Sequence, residues 1–241
     1  MLPPSARLAW WGTAWLRGHA VADLVLDAVI GADATHVVAG LPGLDGTATL
    51  VQGLGELRRL GATAVGAAFP AEGDPLGLGG PAEFNRAALE AGEAVVVEGT
   101  GLGVVPRRTG AAVAWTVHPA RRRQLPDVGE ADRSLRSGLL ETAEALADLD
   151  VARWRPEVAD RLMDLRHRDP LPAPEGVPAR CVDLAARGLQ ATGIVALALE
   201  DEGGSVTAYE MQQRRAALVP LDRAGRRALT AACSPEVWPP A

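Results

Sequence analysis

The hydrophobic pattern of this 241-residue chain changes along its length, and that change limits the possible folds more than any single motif does. Strand-like apolar runs occur only between Thr35 and Val117. After Pro119 the apolar residues recur only at helical spacing. The pattern predicts an α/β domain with N-terminal helices over residues 1–120, and a helical domain packed on it over residues 121–241.

Helices and strands alternate in the first half. After two short helices between Ser5 and Gly31, the predicted elements are strands at Thr35–Ala39, Ala62–Phe69 and Glu93–Glu98 and helices at Thr47–Leu60 and Pro81–Ala91. This order predicts two right-handed βαβ crossovers and therefore three parallel strands. Tight turns then predict that the third strand continues into an antiparallel meander with Leu102–Pro106 and Ala111–Val117. We expect a mixed sheet of about five strands.

The second half contains no further strand-like run. Its predicted helices are Glu130–Leu149, Pro156–His167, Arg180–Leu199, a segment from Thr207 to Leu218 and a last one from Asp222 to near Ser234. Thr207 and Glu210 have the spacing of a capping box, and Asp222 is the candidate cap of the last helix.

The composition excludes several chemistries. All 24 basic residues are arginine, so the chain lacks the phosphate-binding lysine of P-loop NTPases and the Schiff-base lysine of pyridoxal enzymes. Cys181 and Cys233 have no partner at metal-ligand spacing, which predicts no metal site and leaves a single disulfide open. Two thiols in a chain of this size favour a cytoplasmic location, and no apolar run approaches the roughly 18 residues of a membrane span.

Five stretches make the chain similar to a group of uncharacterised proteins from GC-rich actinobacteria. They are Leu8–Trp11, Gly73–Leu78, Phe84–Val97, Asp148–Glu157 and Arg214–Cys233. The resemblance spans most of the chain, but it implies no activity, cofactor or site residue. Candidate sites therefore come from the residues themselves.

Loops that follow parallel strands meet at one edge of the sheet, and ligands bind there in open α/β folds. That edge would collect three glycine-containing loops, Gly40–Gly46, Pro70–Gly80 and Glu98–Gly101. Asp45, Asp74 and Glu98 would supply carboxylates there, next to Thr100, to bind a cation or to act as acid and base on a small polar substrate. The alternative is that these residues form solvated turns, for which aspartate has a high propensity.

Positive charge is concentrated in residues 99–125, which carry five arginines and no carboxylate. His118 and Arg121 lie in this segment and are candidates to hold an anionic group of a ligand. Alternatively, these arginines pair with the acidic helices of the second half. The net charge of −6 argues against nucleic acid as a partner.

Trp10 and Trp11 are about 100° apart on a helix, so both cannot face the core. One of them is a candidate anchor for a partner chain. We consider two hypotheses: a non-catalytic protein that binds an unknown protein partner or self-associates, and an enzyme or small-ligand binder that uses the glycine-rich loops. The sequence indicates neither a cofactor nor a reaction.

Overall fold

The computed structural model describes residues 1–121, 123–148, 170–200 and 208–239, which form a six-stranded mixed sheet and seven α-helices. The helices are α1 (Pro4–Leu16), α2 (Ala22–Ile30), α3 (Leu50–Arg59), α4 (Ala82–Ala91), α5 (Val128–Asp148), α6 (Ala179–Glu200) and α7 (Ala208–Ala232). The strands are β1 (Thr35–Ala39), β2 (Thr47–Thr49), β3 (Ala64–Ala68), β4 (Ala94–Glu98), β5 (Leu102–Thr109) and β6 (Ala112–Pro119). A short 3-10 helix, Pro235–Val237, follows α7.

The strand order is β2–β1–β6–β5–β4–β3, and only the β1–β6 pair is parallel. The prediction of three parallel strands is therefore wrong. Strands β3 and β4 are antiparallel neighbours, and β5 and β6 separate them from β1. A parallel crossover requires a connection that carries the chain from one end of the sheet to the other. Here the connections from β1 to β3 and from β3 to β4 each leave the sheet and re-enter it at the same end. The spacing of apolar residues does not indicate whether a connection crosses the sheet.

The predicted antiparallel meander of β4, β5 and β6 is confirmed. Val104 of β5 pairs with Val95 on one side and with Val117 on the other. The additional strand is β2, whose residues were predicted to begin a helix. Thr49 and Gln52 instead form the capping box of α3, so the helix begins only at Leu50 and the preceding residues pair with β1.

Helices cover both faces of the sheet. Helices α1 and α3 pack on one face, where Trp10 and Trp115 are completely buried. Helix α1 begins at Pro4, one residue before the predicted start of the helical segment at Ser5. Helix α4 packs on the other face through Phe84, which lies over Gly103 of β5. A Cβ on Gly103 would stand only 2.6 Å from the Phe84 ring, so glycine at this position permits the contact.

Beyond Pro119 the described residues form helices and no strand, as predicted. Helices α5 and α6 closely match two of the predicted helices. The predicted helix Pro156–His167 and the capping residue Thr207 lie outside the described residues.

The two predicted C-terminal helices are one continuous helix, α7, which contains Pro220. Leu218 and Leu221 are buried where α7 packs on α5 and α6. This packing outweighs the backbone hydrogen bond that proline removes from a helix. Asp222, predicted as a cap, instead pairs with Arg226 one turn later at 2.9 Å.

Helix α6 corrects the expectation that no segment has the length and composition of a membrane span. The stretch Ala179–Leu199 has a mean hydropathy of 1.3 in its most apolar window. Core helices of soluble proteins reach the same value, and α6 packs closely on α7. A Cβ on Gly188 of α6 would stand 2.9 Å from the carbonyl oxygen of Gly225. Small residues on α6 therefore allow this close contact between the helices.

Two glycines of α3 should respond to alanine in opposite ways. A Cβ on Gly53 would lie 2.7 Å from Cγ2 of Val38, a stiff side chain of the buried core, whereas a Cβ on Gly55 would meet nothing. We expect Gly53→Ala to lower the free energy of unfolding by about 1–3 kcal/mol through overpacking. Gly55→Ala should raise it by about 0.5–1 kcal/mol through helix propensity.

Urea denaturation of both variants measures the difference. Equal effects of the two substitutions would contradict the packing of α3 against β1.

Candidate functional site

The strand directions separate the three glycine-containing loops. Strands β1 and β4 run in the same direction and β3 runs in the opposite one. The loops Gly40–Gly46 and Glu98–Gly101 therefore lie at one end of the sheet, whereas Pro70–Gly80 begins at the other end, where β3 finishes. Only its last residue returns to the first end, where the Gly80 carbonyl accepts from the Arg121 N–H at 3.0 Å. Asp74 and Glu98 are not brought together, so the structure does not form the three-carboxylate edge expected from parallel strands.

Asp74 joins the two halves of the chain. Its side chain is only 4% exposed, and its carboxylate contacts three arginines of α7. The distances are 2.8 Å to Arg227, 3.5 Å to Arg226 and 3.9 Å to Arg223. From the charge distribution, arginines of residues 99–125 were considered as partners of acidic helices in the second half. In the Asp74 cluster the carboxylate comes from the first half and the arginines come from the second.

Two other predicted residues occupy turns. Asp45 is exposed in the loop between β1 and β2. The Thr100 hydroxyl donates to the Val97 carbonyl at 3.0 Å and accepts from the Leu102 N–H at 3.1 Å. Thr100 therefore stabilises the β4–β5 turn that sets the position of Glu98.

A groove of about 720 Å³ opens where β4 and β6 end, and it brings together two of the predicted residues, Glu98 and Arg121. Both side chains are exposed, and neither makes an ion pair within the described part of the chain. The other lining residues are Val96, Val97, Gly99, Gly101, Ala120, Arg123, Leu125, Glu236 and Val237. The groove thus presents one carboxylate and one guanidinium beside apolar side chains.

Arg123 forms a wall of this groove although its side chain is only 2% exposed. Its guanidinium donates to the Ala67 carbonyl at 2.7 Å, the Ser234 hydroxyl at 3.0 Å and the Glu236 carboxylate at 3.0 Å. Burial lowers the pKa of Arg123, and the Glu236 carboxylate acts in the opposite direction. A Cβ on Gly66 would overlap the guanidinium, so this contact requires glycine in β3.

Neither Arg123 nor Glu236 is predicted as a site residue from the sequence. Arg123 is the last of three consecutive arginines, and the sequence pattern does not indicate which of them is buried. The one available signal was Gly66, because a glycine inside an apolar strand often marks the close approach of another group.

His118 does not line this groove. It lies in a second cavity of about 350 Å³, together with Arg107. Arg108 binds Asp33 of the first half at 2.7 Å. The arginines of residues 99–125 that the structure describes therefore serve separate purposes rather than forming one anion-binding patch.

Only one of the two candidate interface tryptophans is accessible. Trp10 is completely buried, and its indole N–H donates to the Ala232 carbonyl at 3.1 Å. Trp11 is half-buried and lines an apolar cavity of about 220 Å³ with Met1 and Pro172. The exposed anchor considered from the sequence can therefore be Trp11 but not Trp10.

A buried cluster pairs Asp33 with His36 in the core. The Trp115 indole N–H donates to His36 Nδ1 at 3.2 Å, which leaves the imidazole proton on Nε2 to be donated to Asp33 at 3.0 Å. Burial lowers the pKa of His36, against the effect of Asp33. Burial raises the pKa of Asp33, but hydrogen bonds from His36, Arg108 and Arg7 outweigh it and hold that pKa well below its usual range. With His36 only 2% exposed, the cluster stabilises the core rather than facing a substrate.

The two cysteines are free, buried thiols. Burial raises the pKa of Cys181 to about 11, and it also raises the pKa of Cys233. Neither thiol therefore forms a reactive thiolate near neutral pH. No group of three metal-ligating side chains occurs among residues 1–121, 123–148, 170–200 and 208–239.

Removing the Asp74 carboxylate should destabilise the fold. We expect Asp74→Asn to lower the free energy of unfolding by about 2–3 kcal/mol, because three arginines then lose their shared counter-ion. Asp45→Asn is the matched control, and its effect should stay within about 0.5 kcal/mol because Asp45 is exposed. Chemical denaturation measures both values, and similar effects would contradict the structural role of Asp74.

Stability should fall as the pH drops from 7 to 5. Below the ordinary histidine pKa of about 6.5, the unfolded chain binds a proton at His36 that the folded chain resists. Replacing His36 with asparagine should reduce this loss, which is at most about 1.4 kcal/mol per pH unit. An unchanged slope in the His36 variant would show that His36 binds a proton equally well in the folded and the unfolded chain, which contradicts the prediction.

Two family profiles match the chain over most of its length. The N-terminal domain of Rv1486c-like proteins matches residues 5–128, and the C-terminal domain matches residues 129–230. No solved structure matches significantly.

The curated relatives are mycobacterial. The chain is 30% identical to uncharacterized protein Rv1486c of Mycobacterium tuberculosis strain H37Rv, an alignment that covers 98% of this chain and 99% of that protein. It is 32% identical to uncharacterized protein MAV321 of Mycobacterium avium over 65% of each chain. It is 28% identical to uncharacterized protein ML1804 of Mycobacterium leprae over 65% of this chain and 70% of that protein. The chain therefore belongs to the Rv1486c-like protein family of actinobacteria, whose members here have no assigned function.

Proposed function

We propose that this protein binds a small polar molecule in the groove at the end of β4 and β6. The observation that carries the proposal is that Glu98 and Arg121 line one groove without ion-pair partners among the described residues. The volume of about 720 Å³ is in the range of small-molecule sites.

The ligand class follows from the charges of the groove. Arg123 and Glu236 neutralise each other, which leaves Arg121 to bind an anionic group and Glu98 to bind a cationic one. Apolar contacts come from Val96, Ala120 and other lining residues. A zwitterion of amino-acid size, with a carboxylate and an ammonium group on a short apolar stem, is complementary to this arrangement.

Binding without covalent chemistry fits the lining of the groove best. Its residues in the described part of the chain include no cysteine, serine, threonine or histidine. Glu98 and Arg121 are placed to orient charged groups, and that lining supplies no hydroxyl, thiol, amine or imidazole as a nucleophile.

Partner binding is the second candidate function, and the half-buried Trp11 beside an apolar cavity favours it. A partner chain or a second copy would bury Trp11 and the exposed Met1 next to it. A loss of association in Trp11→Ala, measured by sedimentation, is the corresponding test.

Two further assignments accompany the proposal. A cytoplasmic location is supported by the two free thiols, which a reducing compartment preserves. A division into domains at residues 1–120 and 121–241 is supported by the family profiles, which meet between residues 128 and 129.

A thermal-shift screen tests the binding proposal. The panel contains free amino acids as zwitterions, simple carboxylates and amines with one charge each, and nucleotides and metals with an EDTA control. A ligand at one hundred times its Kd adds about 2.7 kcal/mol to stability, which raises the Tm by about 5–10 °C in a chain of this size. We expect zwitterions to raise the Tm more than either the simple carboxylates or the simple amines do.

Matched variants locate the site. Arg121→Gln and Glu98→Gln should each abolish the shift, whereas Arg133→Gln, an exposed arginine of α5, should retain it. A shift that survives in both groove variants, or no shift with any compound, contradicts the proposal and directs the work to Trp11 and partner binding.

A further inference from the structure

A second cavity lies on the other side of Phe84, between α4 and the sheet. Its volume is about 350 Å³, and its polar lining comes from Arg107, Thr116, His118 and Glu90. Gly103 packs directly on the Phe84 ring, which is completely buried, so the two cavities are separated by close-packed residues.

The strand register brings three of these polar side chains to one face. Thr116 and His118 are two residues apart on β6, and Arg107 is opposite Ala114 on β5, so all three side chains point to the face that α4 covers. Thr116 is the diagonal cross-strand neighbour of Arg107, close enough for both side chains to contact the same small group. His118 lies two residues further along β6, so the long Arg107 side chain has to extend along the strands for a group to contact all three.

All three side chains retain donor capacity. Arg107 and Thr116 are exposed, and no hydrogen bond or ion pair of their side chains occurs within the described residues. The His118 ring contacts the Phe84 ring, with centroids 6.2 Å apart, and likewise has no polar partner in that part of the chain. Arg108 lines the same cavity but is already bound to Asp33.

From this arrangement we infer that the α4–sheet cavity binds a small oxyanion, a phosphate or carboxylate group, between Arg107, Thr116 and His118. The guanidinium donates two parallel hydrogen bonds to such a group, and the hydroxyl and imidazole donate to its remaining oxygens. Glu90 of α4 is the one carboxylate of the lining, and it repels an anion. The bound group therefore has to be small enough to stay beside β5 and β6, away from Glu90.

Inorganic phosphate is the probe, at constant ionic strength maintained with chloride. Its binding is followed by NMR of the histidine ring signals. We expect phosphate to shift the His118 signals saturably and to leave those of the buried His36 unchanged. Arg107→Gln should raise the apparent Kd by at least about tenfold, because a charge-assisted hydrogen bond is lost. Thr116→Val should weaken binding less than Arg107→Gln does.

Arg121→Gln is the matched control, because it removes an arginine of the other groove and should leave the phosphate response unchanged. Circular dichroism shows whether each variant is folded. His118 signals that do not move at tens of millimolar phosphate overturn the inference. A response that Arg121→Gln removes and Arg107→Gln retains also overturns it, and would place the anion in the other groove.

Discussion

One buried arginine, Arg123, joins the outer edge of β3 to the C-terminal end of the chain. Moving a guanidinium out of water costs several kcal/mol unless hydrogen bonds and an opposite charge replace its hydration. The Ala67 carbonyl, the Ser234 hydroxyl and the Glu236 carboxylate supply those replacements. The side chain fits because Gly66 has no Cβ. The position of the C-terminal segment, and with it one wall of the groove, depends on this contact.

The rest of the β3 edge is closed by groups from both ends of the chain. The Thr13 hydroxyl accepts from the Val65 N–H at 2.9 Å and donates to its carbonyl at 3.0 Å, and the Ala67 N–H donates to the Cys233 carbonyl at 2.8 Å. An unpaired strand edge would be open to pairing with another chain. The α/β half therefore needs α1 and the end of the helical half to complete its sheet, and Asp74 adds an ion-pair contact between the same halves.

The sequence allows only one part of the candidate site to be predicted, namely the residues that follow strands of the β4–β6 meander. Strands β4 and β6 both pair antiparallel with β5, so they run in the same direction and end at the same edge. That local relation brings Glu98 and Arg121 into one groove. Asp74 was assigned to the same edge because β3 was predicted to be parallel to β1 and β4. The direction of β3 depends on the end of the sheet at which the long connection from β1 returns. The assignment failed because β3 and β4 are antiparallel.

Most of the helices and strands can be predicted from the sequence, because hydrophobic period records which side chains of a segment are buried. The β4–β6 meander can be predicted in the same way, because short turns leave the strands no other pairing. Tertiary contacts set the direction of β3, the continuity of α7 through Pro220 and the burial of Arg123. Each of these features depends on contacts between residues far apart in the chain. Arg123 is buried because Gly66 leaves room for its guanidinium and Glu236 binds it, and no local sequence pattern indicates that these three residues are in contact.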